Sequence, residues 1–170
     1  MVSLDLPLLF ALVLALGIAL YVVMDGFDLG LGVLFLLAPS DADRDAMMNS
    51  IAPIWDGNET WLVLGGTLLF AAFPTVYAVL LPAFYVPLVV MLFALIFRGI
   101  AFEFRFRAGR FRRIWDWAFA AGSALAGFCQ GLVLGALIDG VQARDGAFAG
   151  STFGFVSGFA VASGLGVVAG

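Results

Sequence analysis

Ile51-Ala-Pro-Ile-Trp-Asp-Gly-Asn-Glu-Thr-Trp61, running on as Leu-Val-Leu-Gly-Gly-Thr-Leu-Leu-Phe-Ala-Ala-Phe-Pro74, decides how this sequence is read. Two acids, Asp56 and Glu59, stand three apart between Trp55 and Trp61, at the head of a run from Leu62 to Phe73 without a charge. Helix positions three and four apart share a face, so both carboxyls and the Trp55 ring are predicted to point into one pocket. Acids beside a membrane-type apolar run are costly and mark ion or proton routes when they occur. A plainer alternative has Asp56 and Asn58 capping a helix that starts after Pro53. The residues leave both open.

The rest of the chain agrees with a membrane setting. It is 64% hydrophobic and 12% charged with a mean hydropathy of +1.11, whereas a soluble domain carries about 25% charged residues. The net charge of −4 argues against nucleic acid as a partner, since that contact needs a basic surface. The chain has no Lys and no His, and most of its arginines are bunched in one place. One cysteine, Cys129, excludes an intramolecular disulfide and a multi-cysteine metal site, and its apolar neighbours predict a packed thiol. Met1 to Asp5 lacks the positive segment of a signal peptide, so the first apolar stretch is expected to be retained as a span.

Working outward, Pro7 to Leu37 is apolar except for Asp25 and Asp28, longer than the roughly 20 residues a crossing needs. Pro39 to Asp45 is a polar turn whose aspartates suit the start of the next helix. Further spans are predicted at Ile54–Pro74, Tyr77–Phe102 and Trp115–Ile138, with Pro82 and Pro87 near the start of the third. Asp139 to Asp145 is a second polar turn, and Gly150 to Gly170 begins a fifth apolar run. The expected architecture is an all-α integral membrane protein. Residues 1–150 form a four-helix transmembrane repeat, and residues 151–170 open a second one that stops short.

Arg44 and the cluster Arg105, Arg107, Arg110, Arg112 and Arg113 fall in the first and third loops. Positive charge stays cytoplasmic, which puts the N-terminus outside and the 105–113 loop inside. Small residues recur every fourth position at Ser123, Gly127, Gly131 and Gly135, at Gly150, Gly154 and Gly158, and at Gly26 and Gly30. Such stripes let helix backbones approach closely in lipid, although simple enrichment of glycine explains the Gly26/Gly30 pair equally well. Trp115 and Trp117 are expected to anchor at the inner boundary, and Tyr77, Phe84 and Tyr85 at the outer one.

Asp25 and Asp28 share a face, roughly 15–20 Å from the cytoplasmic end at about 1.5 Å per residue. A second helix that begins near Arg44 puts Asp56 at a similar depth on the antiparallel neighbour; one that begins at Pro53 does not. Glu103 lies near the cytoplasmic end of the third span among Arg98, Arg105 and Arg107. A shallow acid with deeper ones is the arrangement of a proton relay, and burial and a neighbouring guanidinium tune such groups in opposite senses. Interhelical hydrogen bonding is the competing role for Asp25 and Asp28. Without His the chain lacks the usual haem ligands, and Met24, Met47, Met48 and Met91 read as packing. Interrupted helices with buried acids also describe fragments of ion-coupled secondary transporters, the alternative function.

Asp25-Gly-Phe-Asp-Leu-Gly-Leu-Gly32 and Asn49 to Trp61 together resemble subunit II of the cytochrome bd-type quinol oxidases. Leu69 to Tyr77, Phe97 to Arg105 and Trp115-Asp-Trp117 match the same family in the same order, and Glu59-Thr60 looks more like its cyanide-insensitive branch. The resemblance implies a bacterial inner-membrane complex that oxidises quinol and reduces dioxygen to water. Its two b-type haems and one d-type haem are held by subunit I, the heterodimer partner; auxiliary single-helix subunits are allowed for. It further implies that Asp56 matches the deep aspartate of a proton path, Glu103 an acid at its mouth, Arg107 a basic residue there and Asp28 another buried acid. Glu59 and Asp25 join that path, and Trp55, Trp61 and Arg98 line the pocket or meet the partner. Family members are about twice as long, so the sequence reads as the first half of such a chain. Ile54 stands where some relatives carry a polar residue.

Overall fold

A computed structural model describes residues 5–170. Residues 1–4, part of the segment read above for a leader, lie outside the described residues.

Asp5 caps α1 (Leu6–Leu34) by accepting from the Leu8 amide at 3.4 Å, and Pro7 sits in the first turn, where its missing N–H is harmless. The helix closes through a short 3-10 turn (Phe35–Leu37) before Pro39, because a residue preceding proline is pushed out of helical geometry. Ser40 then caps α2 (Asp41–Ile51), with Asp41 and Asp43 in its first turn. The expected polar turn is thus the head of an 11-residue helix. Pro53 separates it from α3 (Trp55–Ala72), so Asp56 falls in a first turn, as the Pro53 alternative required.

Pro74 ends α3 and opens α4 (Pro74–Ala83). The third predicted span is not continuous: it breaks at Phe84 between α4 and α5 (Tyr85–Arg107). Pro82 and Pro87 each remove a backbone donor on either side of this break. Gly109, at φ +50°, turns the chain into α6 (Arg112–Asp139), and Gly140, at φ +98°, releases it. The second polar turn continues into a hairpin of β1 (Ala143–Arg144) and β2 (Ala147–Phe148). Asp145 and Gly146 both have positive φ, the Asp-Gly geometry of a two-residue hairpin turn. Of the predicted fifth run only α7 (Gly158–Ala169) is helical, capped by Ser157.

Among the described residues, three helical stretches suffice by length and composition to cross a membrane: Leu6–Leu37, Tyr85–Arg107 and Gly109–Asp139. The 18 residues of α3 rise about 27 Å, near the ~30 Å of a hydrocarbon core, and Asp56, Asn58 and Glu59 lower its apolarity at one end. The chain is an all-α integral membrane protein.

Helix α6 is the hub: α5 and α7 pack along it, while α1 lies against both α3 and α6. Among the described residues, buried apolar side chains fall into three clusters. Phe35, Met48, Ile51, Phe102 and Phe119 fill the arginine-rich end; Leu29, Met91, Leu95 and Cys129 the middle; Phe84, Leu132, Phe155 and Ala160 the other end. Cys129 is packed, as read from its neighbours. Phe84 is buried and plugs the core where an exposed boundary anchor was expected, because the α4–α5 break turns it inward. Tyr85 and Trp117 are exposed.

The small-residue stripes are corrected in part. Gly131 and Gly135 do bring α6 onto α7, but they meet Ala160, Ser163 and Gly164. Gly150 and Gly154 precede α7 in a loop, so they cannot form a helical stripe with Gly158. On α1 a Cβ at Gly26 or Gly30 would meet nothing within 4 Å. The close approach of α1 to α6 is instead at Gly32, where a Cβ would fall on Ser123.

Candidate functional site

Where α1, α3 and α5 face one another, their polar residues converge. Asn58 of α3 donates to Asp28 Oδ2 at 2.8 Å and reaches the Met24 carbonyl at 3.5 Å. Arg98 of α5, with no solvent exposure, donates to Glu59 Oε1 at 2.6 Å and lies 3.6 Å from Asp25 Oδ1. Its guanidinium also sits over the rings of Phe102 and Phe119, at 5.8 and 6.0 Å. Gln130 of α6 donates to the Tyr21 hydroxyl, one turn along α1 from Asp25. A knot of two aspartates, a glutamate, an asparagine and one arginine is thus closed inside the chain. Both Asp25 oxygens, Asp28 Oδ1, and Arg98 Nε and Nη2 are buried without a hydrogen-bond partner. Buried polar atoms left so are costly.

Residues of α3 are sorted around this knot by simple helical rotation of about 100° per residue. Asn58 points at Asp28. Trp55 falls roughly 60° from it, Glu59 about 100° and Asp56 about 160°. Trp55 accordingly stacks on Phe102, with ring centroids 4.8 Å apart and planes 8° from parallel. Glu59 reaches Arg98. Asp56 is carried past the packed face and is exposed. The single pocket predicted for Asp56, Glu59 and Trp55 is therefore split. Glu59 is inside the knot, Trp55 is at its edge, and Asp56 is on the outer surface. Register along the helices is a separate matter. Leu64 lies against Gly17 and Asn58 against Asp28, so Asp56 does sit level with the lower part of the knot.

Glu103 and Arg107, expected at the mouth of the path, form an exposed ion pair at 3.0 Å, one turn apart on α5. Trp61 is half-buried. The knot includes Asn58, and beside it stands the Tyr21–Gln130 pair; the sequence reading assigns none of the three to a site. The sequence offers Asn58 only as a cap, yet it stands one helical turn before Leu62, on the packed face of α3.

A second cluster, which the sequence reading does not assign, is centred on the buried pair Arg105 and Asp116. Arg105 donates to Asp116 of α6 and to Asp45 of α2, and Arg112 donates to the same Asp45. The Arg105 guanidinium lies 5.1 Å from the Phe35 ring centroid. These pairs gather the polar ends of α2, α5 and α6 at one end of the bundle. The sequence signal was the lone acid between Trp115 and Trp117, facing an arginine-rich loop.

Trp55 keeps its place only because Gly99 has no side chain: a Cβ there would lie 3.0 Å from the edge of the indole. Gly99→Ala is therefore expected to tilt Trp55 off Phe102 and cost about 1 kcal/mol, visible as a shifted tryptophan emission. Unchanged emission and stability would contradict this packing.

Among the described residues, no three His, Cys, Asp or Glu side chains are grouped as metal ligands, and the chain has no histidine. The chain therefore has no imidazole to offer a haem iron.

A family model described as cytochrome bd terminal oxidase subunit II matches residues 6–170. Over 132 residues the chain is 43% identical to the cytochrome bd-I ubiquinol oxidase subunit 2 of Escherichia coli K12, covering 76% of this chain and 34% of that protein. It is 37% identical over 151 residues to a probable cytochrome oxidase subunit 2 of Haemophilus influenzae, covering 84% and 40%. It is 39% identical over 121 residues to the cytochrome bd ubiquinol oxidase subunit 2 of Bacillus subtilis, covering 69% and 36%. The chain thus spans 34 to 40% of the length of these curated relatives.

Proposed function

The chain belongs to the cytochrome bd terminal oxidase subunit II family, and from that premise we propose that it serves a quinol-oxidising, dioxygen-reducing complex of the bacterial inner membrane as the subunit that holds no haem. Subunit I is the partner, bearing the two b-type haems and the d-type haem. Those groups supply the electron transfer and oxygen chemistry. This chain supplies a supporting surface and carboxyls that move protons.

The observation that carries this reading is the placement of Asp56. It stands exposed at the head of a membrane-length helix, in line with exposed Thr60, Val63, Thr67 and Phe70 at helical spacing. A bare carboxyl facing lipid is strongly disfavoured, and a stripe containing an acid and two threonines suits a polar partner surface. Asp56 and Thr60 of that stripe, with Glu103 and Arg107 at the end of α5, form this chain's wall of a proton route from the cytoplasm. Asp28, Asp25 and Glu59 with Arg98 sit behind that wall and hold α1, α3 and α5 in register. Arg44 and residues 105–113 face the cytoplasm and the N-terminus the periplasm, in accord with the gathering of arginines at one end.

Asp56→Asn in the full-length complex is expected to cut oxygen consumption roughly tenfold or more, with the haem absorption spectrum unchanged. Normal turnover in that variant would sink the proton role. Loss of the haem-bearing partner on purification would instead assign Asp56 to assembly alone.

A further inference from the structure

At the arginine-rich end, a cleft of about 720 Å³ opens between the start of α2 and the start of α6. Arg44, Arg110, Arg112 and Arg113 line it, with Leu36, Asp41, Asp116 and Trp117. Both aspartates are already engaged, Asp41 by Arg44 at 3.0 Å and Asp116 by Arg105. Asp45 takes Arg112. Among the described residues, Arg110 and Arg113 have no carboxylate within 4.0 Å and are exposed, the Arg110 guanidinium resting 4.7 Å from the Phe111 ring centroid. The Nε atoms of Arg44 and Arg112 are buried without a hydrogen-bond partner. The N-terminal end of α6, which has no side-chain cap and no acid in its first turn and where amide donors and the helix dipole favour an anion, opens on the same cleft.

From this geometry we propose that the cleft binds the phosphate of an anionic phospholipid headgroup. Four guanidiniums against two engaged carboxylates leave it net positive, and arginine forks match phosphate oxygens. Its level relative to the bilayer favours a lipid over free phosphate. Trp117, one turn from Arg113 on the same face of α6, is exposed beside exposed Ile114 and Phe111. An aromatic residue so placed sits at the headgroup boundary, with the apolar length of α6 below it for the acyl chains. Basic pockets at the cytoplasmic ends of membrane helices take such headgroups. The site depends on the chain spanning a bilayer and not on its part in an oxidase.

The test is native mass spectrometry of the full-length complex, titrated with phosphatidylglycerol and, separately, phosphatidylcholine, for the wild type and for R110Q/R113Q. Neither arginine holds a structural ion pair, so the fold should survive, and R110K/R113K retains the charge. The expected result is one phosphatidylglycerol bound in preference to phosphatidylcholine, weakened roughly tenfold in R110Q/R113Q and largely restored in R110K/R113K. Equal binding of the two lipids, or the same phosphatidylglycerol affinity in R110Q/R113Q, would overturn the proposal. Displacement of the lipid by millimolar inorganic phosphate would reassign the cleft to a soluble anion.

Discussion

Arg98→Met is expected to destabilise the protein by about 3–5 kcal/mol, the range for removing one partner of a buried ionic cluster. The Arg98 side chain has no solvent exposure, and among the described residues its guanidinium is the one cation against Glu59 at 2.6 Å and Asp25 at 3.6 Å. Methionine keeps much of the stem that packs near Phe102 and Phe119 but leaves two carboxyls facing one another. Asp25, fully buried, has no solvent contact to replace the lost partner. The midpoint of thermal denaturation in detergent is the measurement, and it should fall by more than for any exposed arginine, such as Arg113→Gln. Adding Glu59→Gln to Arg98→Met should recover part of the loss, since the two sites share an interaction and are not additive. A midpoint within experimental error of wild type, or strict additivity, would show that the knot does not hold the helices.

The second large effect lies between α6 and α7. A Cβ at Gly131 would come 2.5 Å from the Ser163 carbonyl oxygen and 2.7 Å from the Gly164 Cα. Both are backbone atoms, so no rotamer change relieves the clash and the helices must separate. Gly131→Ala is expected to cost about 1–3 kcal/mol, read as increased proteolysis after residue 139 and a lowered denaturation midpoint. Gly127→Ala supplies the control one turn away, where a Cβ would be 3.7 Å from Val167 in ordinary contact. Equal behaviour of the two variants would exclude close α6–α7 packing. Gly26→Ala and Gly30→Ala should leave this chain's own packing untouched, because a Cβ at either position meets nothing within 4 Å.

How much was legible beforehand differs from residue to residue. Pro39, Pro53 and Pro74 announced chain breaks, because proline constrains its predecessor and lacks a donor. The break at Phe84 was missed, although Pro82 and Pro87 were both seen, because hydropathy alone runs uninterrupted from Tyr77 to Phe102. Asp25 and Asp28 are recognisable as buried acids from their apolar flanks, whereas Glu59 is read only as sharing a pocket with Asp56. That Arg98 joins Asp25 and Glu59 is not legible, because the contact closes between helices separated by long stretches of chain. The small residues at Gly131 and Gly135 were correctly read as a contact face, yet their partners on α7 depended on where that helix begins. The Ser157 cap, which accepts from the Ala160 amide, sets that start.

By itself the sequence determined that this chain is helical and membrane-embedded, since its apolar lengths and scarcity of charge admit little else. It also carried the family, in a motif whose order and spacing survive without coordinates. Only the tertiary structure decided the fate of each polar side chain. Asp56 and Glu59 are three residues apart, but a rotation of about 60° between them puts one on the outer face and the other against Arg98. Spacing gives the angle between two side chains; the packing of α1 and α5 against α3 decides which way that angle opens.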